Sequence, residues 1–469
     1  MPETINYPRK GLSKEDVINQ RTFDRMTSEL MNWRQGAGII GGLYLHSNFE
    51  KHDILEKRYQ GQTSSFYYHY VNGAMKIFDN TKSPRWRVFA GDIISNLLYL
   101  QCADGGFRHA SKEFEPSYIS GSTCPIHQFF PILALLSYAE WQYADPSLKE
   151  LIKPAIDRHW EWFNNRWWMR GPGGKHPPMK TPGWCGVTNQ DLTVIAALSR
   201  YGRVYGDMSR YEKWGKPALF ETYLSAKYYH RDIGLFERGD AENHTERICY
   251  FHVIFFALRS ILGDTCDQQI ADVIQNCAAH LFDAVYAAPD GMYHLAWGAK
   301  TDPDDKSLVI EWQTNQVVIN EHPSIMDEME LYLQKHPDEQ KQQILNRIRE
   351  SFYAYVFYDG MLPGALWPVV PLVTVASSPH SSFWLWMVEQ LGDNICDPEY
   401  TPELCIHRKT GEYTWKRKGQ LWAIEKNGKR IYGGYTPLAF GVSIGDQSPA
   451  LGSYADLDEA DVIEVINHA

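Results

Sequence analysis

A glycine-centred turn returns six times along this chain, at Gly41-Gly42, Asp104-Gly105-Gly106, Gly173-Gly174, Asp232-Ile-Gly234, Asp290-Gly291 and Asp359-Gly360. From Gly42 through Gly105, Gly173, Gly234, Gly291 and Gly360 the spacings are 63, 68, 61, 57 and 69 residues. A unit of that length holds two helices of roughly 11–20 residues each with their connections. Before each turn stands an amphipathic, charge-bearing stretch: Thr22–Trp33, Trp86–Leu100, Leu148–Asn164, Lys216–Tyr229, Gln268–Val285 and Glu339–Val356. These predict outer helices with one solvated face. After each turn, 11 to 23 residues on, a hydroxyl residue (Ser65, Thr123, Thr188, Thr245, Thr314, Ser381) precedes a more apolar run. Such residues are expected to cap inner helices, because the side-chain oxygen accepts from an unpaired first-turn N–H. Six outer–inner pairs predict an all-α (α/α)6 toroid over residues 21–395, after an N-terminal extension at 1–20. An α-solenoid would share the hairpins, though usually with shorter units. Residues 396–469 break the pattern: turns at Arg408–Gly411 and Asn427-Gly428 separate the strand-like Glu412–Trp415, Gln420–Glu425 and Ile431–Tyr435, which predict a small β-rich appendage.

Composition removes several classes of function. The 469 residues are 44% hydrophobic and 22% charged, enough for a large core and unlike a disordered chain. The net charge is −11 and the longest basic block is Lys416-Arg417-Lys418, so neither nucleic acid nor a membrane surface is expected as a partner. The first ten residues carry no apolar signal-like segment, and no apolar run is expected to reach the 18 or so residues of a spanning helix, so a cytoplasmic location is expected. Eight cysteines without a C-x-x-C pair argue against a zinc site, a redox motif or a disulfide framework, and most are expected to be buried as small hydrophobes. No metal and no cofactor are expected, since no ligand spacing for zinc or calcium is present.

In a toroid all outer-to-inner loops open on one end, so polar residues at the same phase of the repeats converge there. The post-turn segments carry His46, His109, His176, Glu237-Arg238 and His294. The inner-helix starts carry Tyr68-His69, His127, Asn189, Asp191, Glu246-Arg247, Tyr250, His252, Asn315 and His380. Titratable groups at one phase of six repeats are not required by core packing and point to a pocket. With 16 Trp, 28 Tyr and 20 Phe there are flat side chains in plenty for stacking on sugar rings, although most must fill the wall. The loop Gly171–Gly186 holds five glycines and four prolines in sixteen residues, a composition for fixed backbone turns. It is expected to deliver Trp184 as a stacking platform and to place Asn189 and Asp191 in the first turn of an inner helix, where the positive dipole end would hold a carboxylate ionised. Each candidate also has a local role open to it: Asp104 can close its own turn, and Asp191 can serve a capping box with Thr188.

The segment Gln101-Cys-Ala-Asp104-Gly105-Gly106-Phe107-Arg108-His109 resembles the Q-x-x-D-G-x-aromatic-x-His stretch of unsaturated glucuronyl and rhamnogalacturonyl hydrolases, and Asp290-Gly-Met-Tyr293-His294 resembles part of it again. The resemblance implies an (α/α)6 toroid, often cytoplasmic, that removes unsaturated uronic acids by acid-assisted hydration, with an acidic oligosaccharide as substrate. In that reading Asp191 activates water or steadies the cationic transition state, and Asp104 or Glu246 gives the proton. Trp184, His109, Arg247, His252, His294 and His69 would bind substrate. An exo-acting glycoside hydrolase is thus expected, narrowly ahead of a toroidal lyase, in which Asn189 neutralises the uronate carboxylate, His127 or His252 is the base, Tyr250 the acid, and Arg247 assists. A sugar 2-epimerase would use paired histidines in the same fold. The acidic string Asp302-Pro-Asp304-Asp305 matches the D-x-D-D of terpene cyclases but reads as a surface loop, and a non-catalytic glycan-binding toroid is the remaining alternative.

Overall fold

The computed structural model describes residues 4–7, 9–32, 42–48, 53–60, 65–107, 125–170, 178–239, 244–288, 291–314, 319, 322–356, 363–366, 372–376, 381–399, 405–410, 413–418, 421–426 and 429–435. Twelve helices carry the fold: α1 (Gln20–Asn32), α2 (Ser65–Thr81), α3 (Pro84–Leu100), α4 (Pro125–Glu140), α5 (Pro146–Trp167), α6 (Thr188–Tyr205), α7 (209–223), α8 (Phe251–Thr265), α9 (Gln268–His280), α10 (His322–Lys335), α11 (Glu339–Tyr355) and α12 (Ser381–Leu391). The even-numbered helices form the inner ring. Each packs on the next, and α12 returns to α2. The odd-numbered helices lie outside, joined to the preceding inner helix by links of only a few residues and to the following one by long loops. The protein is therefore the (α/α)6 toroid that the glycine spacing predicts, with all long loops on one end.

Aromatic packing closes the ring and plugs its axis. Trp384 of α12 stacks on Phe23 of α1 at 5.8 Å and meets Tyr70 of α2 edge-on at 5.7 Å, while its Nε1–H donates to Thr27 Oγ1 at 3.1 Å. Residue 73 must be glycine here, because a Cβ would fall inside the Trp384 ring. Across the middle, Tyr68 of α2 lies 5.0 Å from Phe256 of α8 and 5.7 Å from Phe130 of α4, and Phe130 stacks on Phe256 at 5.7 Å. Since α2 and α8 are three steps apart in a ring of six, that contact spans the axis. The toroid is a bowl with an aromatic floor.

Beneath the floor, at the end of the short links, polar side chains tie every neighbouring pair of inner helices. Lys76 meets Glu389 at 2.6 Å, Trp386 Nε1 donates to Asp327 at 2.7 Å, and Arg259 meets Glu328 at 2.5 Å. Arg203 and Ser199 reach Asp264 at 2.5 and 2.8 Å, Arg200 and Arg203 both pair with Glu140, and Trp141 donates to Asp79 at 3.0 Å. These link α2 to α12, α12 to α10, α10 to α8, α8 to α6, α6 to α4 and α4 to α2, a closed girdle.

Four sequence expectations need correction. Helix caps fall at outer-helix starts, where Asp145, Asp267 and Asp338 accept from Ser147, Gln269 and Lys341 N–H at 2.8–3.0 Å. At the inner starts the hydroxyls bridge to other segments: Thr188 Oγ1 donates to the Glu237 carbonyl at 2.7 Å, and Ser381 Oγ meets His69 Nδ1 at 2.8 Å. The window Ile248–Thr265 is long and apolar enough to cross a membrane by length and composition; its helix α8 is a stave of the inner ring. The predicted helix Lys216–Tyr229 ends at residue 223 and begins earlier, with π-type pairing at Tyr211–Gly215 and Ala218–Tyr223. Of the described cysteines, Cys185, Cys249 and Cys277 are buried, Cys102 is half-buried, and Cys266 and Cys396 are exposed, so burial accounts for half of them.

Two larger sheets and three two-stranded ribbons complete the fold among the described residues. One holds Thr4–Tyr7 parallel to Cys405–Thr410, followed by the antiparallel strands Tyr413–Lys418, Leu421–Lys426 and Lys429–Tyr435, the β-rich appendage. The other, which the repeat does not predict, joins loops on the bowl end: Pro363–Leu366, Leu372–Ala376, Gly42–Asn48 and Asp53–Gln60, with Thr374 opposite His46.

Candidate functional site

Helical spacing decides which polar residues face the bowl. His127 lies three residues before Phe130 on α4 and His252 four before Phe256 on α8. Residues so spaced share a helix face, so both imidazoles stand one turn above the aromatic floor. Both are half-buried. His252 Nδ1 lies 2.6 Å from the Cys249 carbonyl, which can only accept, so Nδ1 carries the proton and the lone pair is on Nε2. In the neutral ring Nε2 is thus the nitrogen open to a proton.

Beside His252 the chain entering α8 sets a cation on two rings. The Arg247 guanidinium lies 4.5 Å from the centre of the Trp297 ring and 5.7 Å from that of Tyr250, whose hydroxyl it approaches at 3.4 Å. All three are half-buried. A flat aromatic and a guanidinium side by side suit a sugar ring and an anionic or strongly polar substituent.

Behind them is a buried pair. Glu246, with no exposed surface, accepts from Arg238 Nη1 at 2.9 Å, from its neighbour Arg247 N–H at 3.0 Å and from Asn189 N–H at 3.4 Å. Its geometry makes it an acceptor that holds the Arg238 cation, in place of the proton donor expected from sequence. Asn189 is 3% exposed and its Oδ1 has no hydrogen-bond partner among the described residues. Glu237 meets His230 Nε2 at 2.9 Å and lies 3.7 Å from Lys306 Nζ.

The two aspartates expected to do chemistry are occupied locally. Asp104 accepts from Gly106 N–H at 3.2 Å and faces Arg166 at 3.6 Å, so it closes its turn at the outer wall. Asp191, fully buried, accepts backbone N–H groups from Trp184, Cys185 and Gly186 at 2.9, 3.1 and 3.3 Å, with the Cys185 thiol at 3.1 Å and the Tyr223 hydroxyl closer still. Burial pushes its pKa up, opposed by these bonds, so the helix dipole does not decide its state as expected. Trp184 cannot be a stacking platform: it has no exposed surface, donates to Asn164 and packs 5.1 Å from Trp168.

The remaining candidates divide. His69 ties α2 to α12 through Ser381 and lies 6.1 Å from Phe130. His294 is buried between Tyr286 and Tyr355, next to His322, whose imidazole burial holds down to about 3 with a further contribution from His294. His109, His176, Asn315 and His380 lie outside the described residues, as does the side chain of His46. Asp302 accepts from the Asp304 and Asp305 N–H groups, closing the surface turn expected of that string. Among the described residues no group of three or more His, Cys, Asp or Glu is placed to hold a metal. Sequence reading passed over Trp297, His230, Lys306 and His322. Trp297 follows the fifth glycine turn at the phase of the other site residues, and His322-Pro323 opens α10 with a proline in its first turn, so signals for both existed.

No family model and no curated protein matches this chain. Solved structures do. The cellobiose 2-epimerase of Bacillus thermoamylovorans matches at a TM-score of 0.55 and 11% identity, over 80% of this chain and 99% of that one. A sugar epimerase from a ruminal bacterium gives 0.54 and 13%, over 81% and 98%. An unsaturated glucuronyl hydrolase of a Bacillus species, responsible for glycosaminoglycan degradation, gives 0.50 and 10%, over 80% and 97%. At these identities the likeness is one of fold, and the neighbours are six-hairpin toroids.

Proposed function

We propose that this chain is a carbohydrate-active enzyme that moves a proton at a sugar carbon, with His127 and His252 as the acid–base pair. One argument carries the reading: helical spacing sets His127 and His252, from different inner helices, one turn from the stacked Phe130 and Phe256, and the Cys249 carbonyl holds His252 Nδ1, which leaves Nε2 for the proton. In an open-chain sugar, the carbon next to the carbonyl carries an acidic C–H. One histidine takes that proton, the electron pair moves onto the carbonyl oxygen as an enediolate, and the other histidine returns a proton to the carbon. Arg247 and Tyr250 are the groups to stabilise the oxygen's charge, and Trp297 the ring on which the sugar rests. Two of the fold neighbours are sugar epimerases, so the fold is one that holds such chemistry. Incubating the protein in D2O with mannose, glucose, cellobiose and glucuronate, and following the sugar C2 proton by NMR, tests it: deuterium enters at C2 of an accepted sugar. No incorporation into any of the four sinks the reading.

A second reading is cleavage at a uronic acid, by elimination or by hydrolysis. The Arg247 cation on the Trp297 ring favours an acidic sugar, and the 101–109 segment resembles the unsaturated glucuronyl hydrolases. Ultraviolet absorbance separates the branches, since elimination creates a conjugated uronate and hydration destroys one, whereas epimerisation leaves the signal unchanged.

A further inference from the structure

We infer that Asp191 is a positioning residue: it moulds the loop after α5 around its carboxylate, and that loop seats residues 237–239, from which Arg238 reaches Glu246. The inference rests on the proposed function only for what the pair serves; the mechanical coupling stands on geometry alone. Three consecutive N–H groups, from Trp184, Cys185 and Gly186, point at one carboxylate, an arrangement that curls a backbone around an anion. The Cys185 thiol and Tyr223 hydroxyl add two donors, so the loop is tied at once to α6 and to α7. Pro182 is held too, its carbonyl accepting from Thr222 Oγ1 at 2.7 Å.

The loop's outer edge is the seat. Gly186, at φ +77°, turns its carbonyl onto Gly239, where any Cβ would coincide with the Gly186 oxygen, and φ +86° at Gly239 is itself a glycine conformation. Thr188 Oγ1 donates to the Glu237 carbonyl at 2.7 Å, and Glu237 N–H donates to the Tyr228 carbonyl at 2.7 Å. Residues 237–239 therefore lie against the 186–188 corner with no room for adjustment. Arg238, between those two anchors, reaches Glu246 at 2.9 Å, and Glu246 in turn accepts from the Arg247 and Asn189 N–H groups. From the Asp191 carboxylate to the Arg247 guanidinium on Trp297, each step is a bond or a close approach.

Hydrogen exchange by mass spectrometry on the full chain tests this with Gly239→Ala, Tyr223→Phe and Asp191→Asn. Gly239→Ala displaces residues 237–239 from their seat, and amides of 184–190 and of a second segment, 237–239 with 244–250, are expected to exchange about tenfold faster together, with the girdle helices unchanged. Tyr223→Phe removes one donor from Asp191 and should loosen the same two segments to a smaller degree. Asp191→Asn is the stronger form; if it does not fold, the other two variants decide. Should either variant disturb only one of the two segments, the coupling is wrong. Wherever the wild type exchanges C2 deuterium on a probe sugar, Tyr223→Phe is expected to raise KM more than it lowers kcat, an effect a purely structural residue would not give. If the wild type exchanges no C2 proton while both segments still respond together, the proposed function has failed and the positioning role remains.

Discussion

The two ends of this toroid solve opposite problems with the same kinds of residue. At the girdle end every charged side chain named has an opposite charge or an indole N–H on a neighbouring helix, so polarity there holds the ring round. At the bowl end several polar groups turn instead to the backbone of loops, beside pairs such as Arg238–Glu246 and His230–Glu237 that stay within the loops. His252 addresses a carbonyl, Asp191 addresses three N–H groups, and Asn189 Oδ1 is buried without a partner. Unmet hydrogen-bonding capacity costs stability, on the order of 1–3 kcal/mol per buried group.

Substitutions should therefore separate cleanly by end. The largest expected effect is at the bowl: His127→Asn or His252→Asn lowers C2 proton exchange about 10²–10⁴-fold, while the melting temperature moves little, as scanning calorimetry beside the NMR assay would show. A large loss of melting temperature with exchange per folded molecule intact would reverse the comparison.

Acid should act through two buried histidines, His159 on the outer helix α5 and His322 at the start of the inner helix α10. Burial holds the imidazoles of His159 and His322 down to about 3, and His159 Nε2 has no partner among the described residues. In the unfolded chain a histidine titrates near about 6.5, so the unfolded state takes up these protons first as pH falls. The stability they contribute is complete above about 6.5 and declines toward about 3, at up to about 1.4 kcal/mol per pH unit for each group. Asp327, in the girdle, works in the other direction: burial raises it to about 6, so the folded state binds its proton first and gains stability as pH falls through that value. Asp191 is raised by burial as well and works as Asp327 does, so the loss that belongs to the two histidines is the one a variant isolates. Denaturant melts from pH 7 to 4 would show it, and His159→Phe should flatten the curve by one proton's slope. The groups facing His159 across its small cavity are Arg210 and Tyr201, neither of which would stabilise a second cation.

Breaking the girdle should do the reverse of breaking the bowl. Arg203→Ala leaves the nearly buried Asp264 carboxylate with only Ser199 of its two partners named here, and is expected to destabilise by about 1–3 kcal/mol. Exchange activity per folded molecule should stay at the wild-type rate. The smallest effect is in the links beneath the girdle. Cys266 adopts a left-handed φ of +55° after α8, a conformation that costs an ordinary residue about 1 kcal/mol. Cys266→Gly should stabilise by about 0.5–1 kcal/mol, read from the urea midpoint; a destabilised variant would mean that the exposed thiol packs better than its surroundings suggest.

What could be read from the sequence follows from which forces are local. The repeat was legible because each glycine turn must follow an outer helix, and amphipathic stretches declare themselves within one window. The sheet of residues 42–60 and 363–376 was not, although Leu372–Ala376 is a β-branched run, because its strands pair across more than 300 residues and only ring closure brings them together. The histidines over the floor were legible, since His127 and His252 precede Phe130 and Phe256 by one turn. Asp191 was found and its task misread. Nothing in Asp191 or its neighbours announces that Tyr223, thirty-two residues on, and three loop amides will enclose it.

The seam held by Trp384 has a consequence for how such a molecule is made. Phe23 and Thr27 near the start of the chain find their partner on a helix that begins at Ser381, and strand Thr4–Tyr7 pairs with Cys405–Thr410. A ribosome delivers the first helix long before the residues that cover it, so α1 and one side of α2 must wait, apolar and unpartnered, until nearly all of the polypeptide has emerged. Any truncation that removes α12 leaves the nascent species in that waiting state for good, an open arc with a hydrophobic margin, and chaperone dependence should rise sharply for chains that stop short of residue 381.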